Sequence, residues 1–282
     1  MASNHQPGVA QPHTTQSGIM LNAGRGAAWG SMSLAVGFAA LFAVALLLRV
    51  NPVAFDYPLA RAVNQLALGS EAAGRLAVAV TYPAVQGVAI VSLAWGCWFS
   101  RTDPVWRGRI VRGAAAAIVA SVLAHFVQDL LPPLVKPIFD SRLHIRAPGA
   151  LGDIDVLRAT SNPGSSSFPS ERATLYAGLA IAIFAASRGI GLIALGCTAG
   201  VEAARIYLGL HEPSDILGSF FLAATAVWLV EAATRRAFGG LVMNWERRSP
   251  AAFYGAAFAA SYGLATAFED LRALAALLLH AA

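Results

Sequence analysis

Seven apolar blocks, most of them close to the length of a bilayer-spanning helix, divide this chain at residues 28–48, 76–99, 110–131, 173–187, 189–210, 215–233 and 251–268. About 20 apolar residues at 1.5 Å each cross the hydrocarbon core of a membrane. Within that core every backbone N–H and C=O must be paired inside the segment, so such blocks fold as helices. The expected fold class is all-α, a polytopic membrane helix bundle. Composition agrees: 57% of the residues are hydrophobic and only 12% charged, where soluble domains carry about 25%. Between the first two blocks, Phe55, Leu59, Val63 and Leu66 recur at helical spacing, which predicts an amphipathic, interfacial helix over residues 51–70.

Residues 1–27 are polar with few charges and read as a disordered tail. They lack the ordered charged, apolar and small-residue regions of a cleaved signal peptide, so the first block is expected to be a retained helix. Residues 28–233 form one helical domain, and 234–282 add a loop and an extra C-terminal helix.

The net charge of +5 raises the question of nucleic acid. The arginines are scattered between apolar blocks with no basic, aromatic-interleaved face, which excludes it. They read as loop charges that set topology. Arg101, Arg107, Arg109 and Arg112 follow the second block, and Arg235, Arg236, Arg247 and Arg248 follow the sixth. Positive-rich short loops stay in the cytoplasm. This places the N-terminus inside and the loops 132–172 and 210–214 on the extracytoplasmic face, with the bacterial inner membrane as the expected location. Loop 132–172 breaks the rule with Lys136, Arg142, Arg146, Arg158 and Arg172, and that exception points to a site. Cys97 and Cys197 lie in apolar blocks without CxxC spacing and read as small core residues.

Three clusters carry chemistry. Lys136, the only lysine, ends the third block, where it serves as an interface anchor or as a site residue. In "RIYLGLHEPSDILG", Pro213 suits the first turn of a helix and Asp215 falls in that turn. Asp215 follows His211 by four residues, so its carboxylate reaches the imidazole, holds one tautomer and leaves the other ring nitrogen as a nucleophile. Arg205 lies about one and a half turns back and faces the same pocket. In "SSSFPSERATLY", Pro169 and Ser170 begin a helix whose free N–H groups bind anions, and Arg172 adds a fork suited to phosphate. Ser170 also reads as an N-cap and Glu171 as a first-turn acid. His125 reads as an interior histidine. Glu269, Asp270 and Arg272 read as caps or pairs at the membrane edge.

Together these clusters resemble the type 2 phosphatidic acid phosphatase family of the acid phosphatase/vanadium haloperoxidase superfamily. Its pattern is K-x6-R-P, P-S-G-H and S-R-x5-H-x3-D. The third motif is present as Arg205, His211 and Asp215, with Ala204 replacing Ser. In the second, Pro169 and Ser170 match, while Glu171 replaces Gly and Arg172 replaces His. In the first, Lys136 matches, Leu143 and His144 stand at the R-P positions, and Arg142 lies one residue early. The resemblance implies a core of about six helices and a phosphohistidine mechanism needing no metal or cofactor. His211 would attack phosphorus and Asp215 would orient it. Lys136, Arg142, Arg205 and the Ser170 backbone would hold phosphate oxygens. Arg172 stands where the family keeps its proton donor, and arginine does not deprotonate in proteins. A diphosphate expels a phosphate monoester, with a second pKa of about 6. That leaving group suits a fixed cation better than an alkoxide does. The expected substrate is therefore a polyprenyl or related lipid diphosphate, with Arg172 on the leaving phosphate. His144 is the alternative acid. A phosphoryl or headgroup transferase and a catalytically impaired lipid-phosphate binder are the rival functions.

Overall fold

The computed structural model describes residues 15–66, 70–145, 166–234, 238–271 and 274. The turn at Asn162-Pro163-Gly164, the loop arginines Arg146 and Arg158, Arg272 and the first part of the polar tail lie outside them. The described residues form α-helices and one short 3-10 turn, with no strand among them. In chain order the helices are α1 (Thr15–Val50), α2 (Asp56–Leu66), α3 (Glu71–Thr81), α4 (Pro83–Ser100), α5 (Pro104–Leu130), α6 (Glu171–Ala186), α7 (Arg188–Tyr207), α8 (Pro213–Thr234), α9 (Phe238–Arg248) and α10 (Pro250–Ala265).

Five stretches among the described residues are long and apolar enough to cross a membrane: Gly30–Val50 within α1, and the whole of α4, α5, α7 and α8. This is fewer than the seven blocks imply, for local reasons. Block 76–99 is cut at Tyr82–Pro83 into α3 and α4, because Pro83 has no N–H to donate and starts a new helix instead. Blocks 173–187 and 251–268 become the 16-residue helices α6 and α10. At the other end of the chain α1 already begins at Thr15, within the stretch read as a disordered tail.

α6 is the axis of the bundle, packed against α4, α5, α7 and α8. Its tightest approach is to α5. A Cβ on Gly113 would lie 2.1 Å from the Ala182 Cβ, and one on Gly178 would lie 2.9 Å from Ala117. Each helix thus presents a small residue four positions from another, the spacing that lets membrane helices close on each other. α1 lies along α8, with Phe38 stacked on Phe221 and Phe42 against Phe168. α10 lies along α4, where Trp95, Trp98, Phe253 and Tyr254 form an aromatic cluster. Leu47, Leu192, Ile193 and Phe258 face outward, as lipid-facing side chains must. Cys97 is buried in this packing, whereas Cys197 is exposed, a departure from the core position expected for it.

Candidate active site

The C-terminal ends of α1, α5 and α7 and the N-terminal ends of α6 and α8 meet at one end of the bundle. There a cavity of 180 Å³ is lined by Lys136, Ser170, Glu171, Arg172, Arg205, His211 and Glu269, among others. Five residues singled out from sequence therefore share one cavity, with Asp215 behind His211.

The turn from α7 to α8 positions His211. Leu208 closes α7, and Gly209 takes the left-handed backbone, φ +71°, that glycine tolerates best. A Cβ there would lie 2.7 Å from the Ile145 side chain, and the Gly209 carbonyl accepts from the Ile138 N–H at 2.9 Å. The chain then turns through His211 and Glu212 into α8. Asp56, fully buried at the start of α2, accepts from the N–H and the hydroxyl of Ser214 at 2.8 and 2.6 Å. This fastens α2 to the first turn of α8.

The neighbours of His211 determine its tautomer. Its Nε2 lies 2.8 Å from the Arg205 guanidinium and its Nδ1 lies 3.3 Å from the Asp215 carboxylate. Arginine has only donors, so Nε2 must hold a lone pair, and Nδ1 then carries the proton toward Asp215. Burial, reinforced by Arg205, pushes the His211 pKa down to about 4. The imidazole is thus neutral at physiological pH, with its Nε2 lone pair held by Arg205 at the cavity wall. Asp215 itself accepts from the Glu212 N–H at 2.9 Å and from the Arg49 Nε at 2.8 Å.

Arg49 was not among the sequence candidates. It sits near the end of α1, only 4% exposed. Its Nη2 also donates to the Val135 carbonyl and the Ser167 hydroxyl, at 2.7 and 3.0 Å. One guanidinium so joins α1, α8 and both arms of the loop that carries Lys136 and Ser170. Glu212 lies 3.6 Å from Arg49. Burial raises the Glu212 pKa to about 9, so it holds a proton in its hydrogen bond with Asp56.

Opposite His211, Ser170 caps α6. Its Oγ accepts from the Ala173 N–H at 3.3 Å, and its carbonyl accepts from the Ser219 hydroxyl at 3.0 Å. Gln128 donates to the Pro169 carbonyl at 2.7 Å, and the Phe168 ring fills the space left by the missing side chain of Gly218. Lys136 precedes the 3-10 turn Pro137–Phe139, and burial followed by repulsion from Arg205 lowers its pKa. Arg205 is balanced by Glu202 at 3.4 Å, which also accepts from Gln86 at 3.3 Å. Among the described residues the buried Arg205 Nε has no hydrogen-bond partner, leaving a donor beside the cavity. Arg172 pairs with Glu269, which follows α10.

Two sequence assignments separate from this cluster. Arg142 is exposed and forks onto Asp140 at 2.7 and 2.9 Å, with its guanidinium over the Tyr57 ring. It does not line the cavity, because its nearest acid, two residues away, holds it outside. His144 is exposed, takes a left-handed backbone with φ 50°, and is likewise absent from the lining. Glu171 and Glu269, read as a first-turn acid and an edge residue, both face the cavity. His125 is more than half exposed and stands 3.8 Å from Glu171, rather than in the interior.

No curated protein matches the chain. The crystal structure titled as the first transmembrane PAP2 type phosphatidylglycerolphosphate phosphatase, from Bacillus subtilis, aligns with a TM-score of 0.48 and 18% identity, covering 72% of this chain and 97% of that one. The family model described as PAP2 superfamily matches residues 110–238, which include Lys136, Ser170, Arg172, Arg205, His211 and Asp215 but neither Arg49 nor Glu269. Over residues 110–238, somewhat less than half of its length, this chain is therefore similar to the PAP2 superfamily.

Proposed function

We propose that the protein is an integral membrane lipid phosphatase that cleaves a prenyl or related lipid diphosphate through a phosphohistidine. The observation that carries this reading is the neutral His211, whose Nε2 adjoins a small cavity shared with Lys136, Arg172 and Arg205. In the first step Arg205 turns from Nε2 to a phosphate oxygen, and the freed Nε2 lone pair attacks the terminal phosphorus. The bond to the bridging oxygen breaks, and its electron pair leaves on the lipid monophosphate. Asp215 stabilises the imidazolium character that develops, through the Nδ1 proton. Lys136, Arg205 and the α6 N-terminus hold the equatorial oxygens by fixed charge and dipole. In the second step water attacks phosphorus, the P–N bond breaks, and inorganic phosphate departs with the lone pair restored to Nε2.

Arg172 favours a diphosphate. It cannot give a proton to an alkoxide, but it can neutralise a departing phosphate. Its charge is held by Glu269, and a phosphate oxygen would compete for that guanidinium. The test is phosphate release in detergent from farnesyl diphosphate and from phosphatidic acid. Wild type is expected to prefer the diphosphate. Arg172→His, which restores an acid, should raise monoester turnover by about 10²-fold, the lower range for general acid catalysis. Equal rates on both substrates, unchanged by Arg172→His, would reject the leaving-group assignment.

A further inference from the structure

The end of the bundle away from His211 holds a second, larger cavity of 460 Å³. It lies between α1, α5, α6 and α8 where α7 begins, and its wall includes Ser31, Arg109, Arg112, Arg188, Trp228 and Glu231. Its charges do not cancel. Arg112 is buried and forks onto Glu231 at 2.9 and 3.3 Å, which neutralises that pair. Arg109 is half-buried and, among the described residues, makes one long hydrogen bond to the Ala185 carbonyl, at 3.5 Å. Arg188 is exposed and makes no hydrogen bond or ion pair among the described residues. α7 begins at this wall, and Ser187 places no side-chain cap on its N–H groups.

Two guanidiniums and an uncapped helix start therefore border one cavity, and the single carboxylate among its described lining residues is already engaged. Arginines that only mark a topology end lie in water or snorkel to lipid, and need no enclosed space between helices. Basic pockets between transmembrane helices, near the membrane surface, are the physical form of a phosphate headgroup site. From the juxtaposition of Arg109, Arg188 and the α7 start we infer a second phosphate-binding site, taking an anionic lipid headgroup or a free phosphate at the end opposite the catalytic cavity.

The test is equilibrium binding to the full chain in neutral detergent. The probes are dihexanoyl phosphatidylserine, dihexanoyl phosphatidylcholine and inorganic phosphate. Phosphatidylserine should bind wild type and Lys136→Gln alike, since Lys136 marks the catalytic cavity. Arg109→Gln with Arg188→Gln should weaken it roughly thirtyfold, from about fivefold per arginine. Arg188→Glu, at an exposed position, should weaken it in the same direction and covers the case of a double variant that does not fold. Inorganic phosphate binding that falls in parallel identifies a free anion as a ligand, and binding of phosphatidylserine alone identifies the lipid headgroup. Unchanged affinity in both variants, or equal affinity for phosphatidylcholine, would overturn the site.

Discussion

Arg49→Met is expected to destabilise the protein by about 3–5 kcal/mol and to lower its activity with it. Removing one member of a buried ion pair leaves the other charge without compensation, which is the origin of that magnitude. Here the stranded group is Asp215, fully buried, with its Oδ1 turned to the Arg49 Nε at 2.8 Å. Methionine fills a similar volume, so packing is not the main loss. The Val135 carbonyl and the Ser167 hydroxyl lose their donor as well, and these belong to the two loop arms beside the cavity. Arg49→Lys keeps the charge but not the fork and should fall between. Arg142→Ala is the comparison: that arginine is exposed, and its ion pair with Asp140 and its stacking on Tyr57 lie at the surface, so little change is expected. Denaturant unfolding of purified protein beside phosphate release checks both parts. An Arg49→Met protein as stable as wild type would contradict the role assigned to this guanidinium.

Asp215→Asn should lower stability as well, because the buried Arg49 loses its counter-charge, but the folded fraction should turn over about 10⁴-fold more slowly, as when the buried Asp of a Ser-His-Asp triad is made Asn. The reason is the direction of the donors around the carboxylate. Arg49 claims Oδ1, which therefore becomes the amide oxygen of an Asn. The amide NH₂ then stands where Oδ2 accepted from the Glu212 N–H and from His211 Nδ1. It donates to Nδ1, moves the ring proton to Nε2, and removes the lone pair that faces Arg205. A large kcat loss with KM nearly unchanged is the expected signature in steady-state kinetics. Near-wild-type kcat would show that the tautomer is not set by Asp215.

What the sequence revealed followed from distance along the chain. His211 and Asp215 stand four residues apart on a turn into a helix, and Ser170 caps the helix it precedes. Local geometry alone brings out such relations. Arg205 came from the same run and Lys136 from being the only lysine. Arg49 and Asp56 meet α8 across 166 and 158 residues, and Glu269 meets Arg172 across 97. No local periodicity encodes such pairs. Arg49 did carry a signal, an arginine closing an apolar membrane block, which is costly unless it is paired. It lies far from every motif of the site along the chain, so nothing local linked it to His211. The split of the second block was legible in Pro83. The outward position of Arg142 was not, because it depends on Asp140 and Tyr57 holding the side chain away from the cavity.

The central claim is that His211 carries the phosphoryl group. The most direct measurement is to mix purified wild-type protein with farnesyl diphosphate labelled at the terminal phosphate and quench in alkali, where phosphohistidine survives. The site of the label is then located by peptide mapping. The account predicts label on His211 that turns over with the reaction, and neither label nor phosphate release in His211→Ala. Phosphate release that continues in His211→Ala, or label found on another residue, would contradict it.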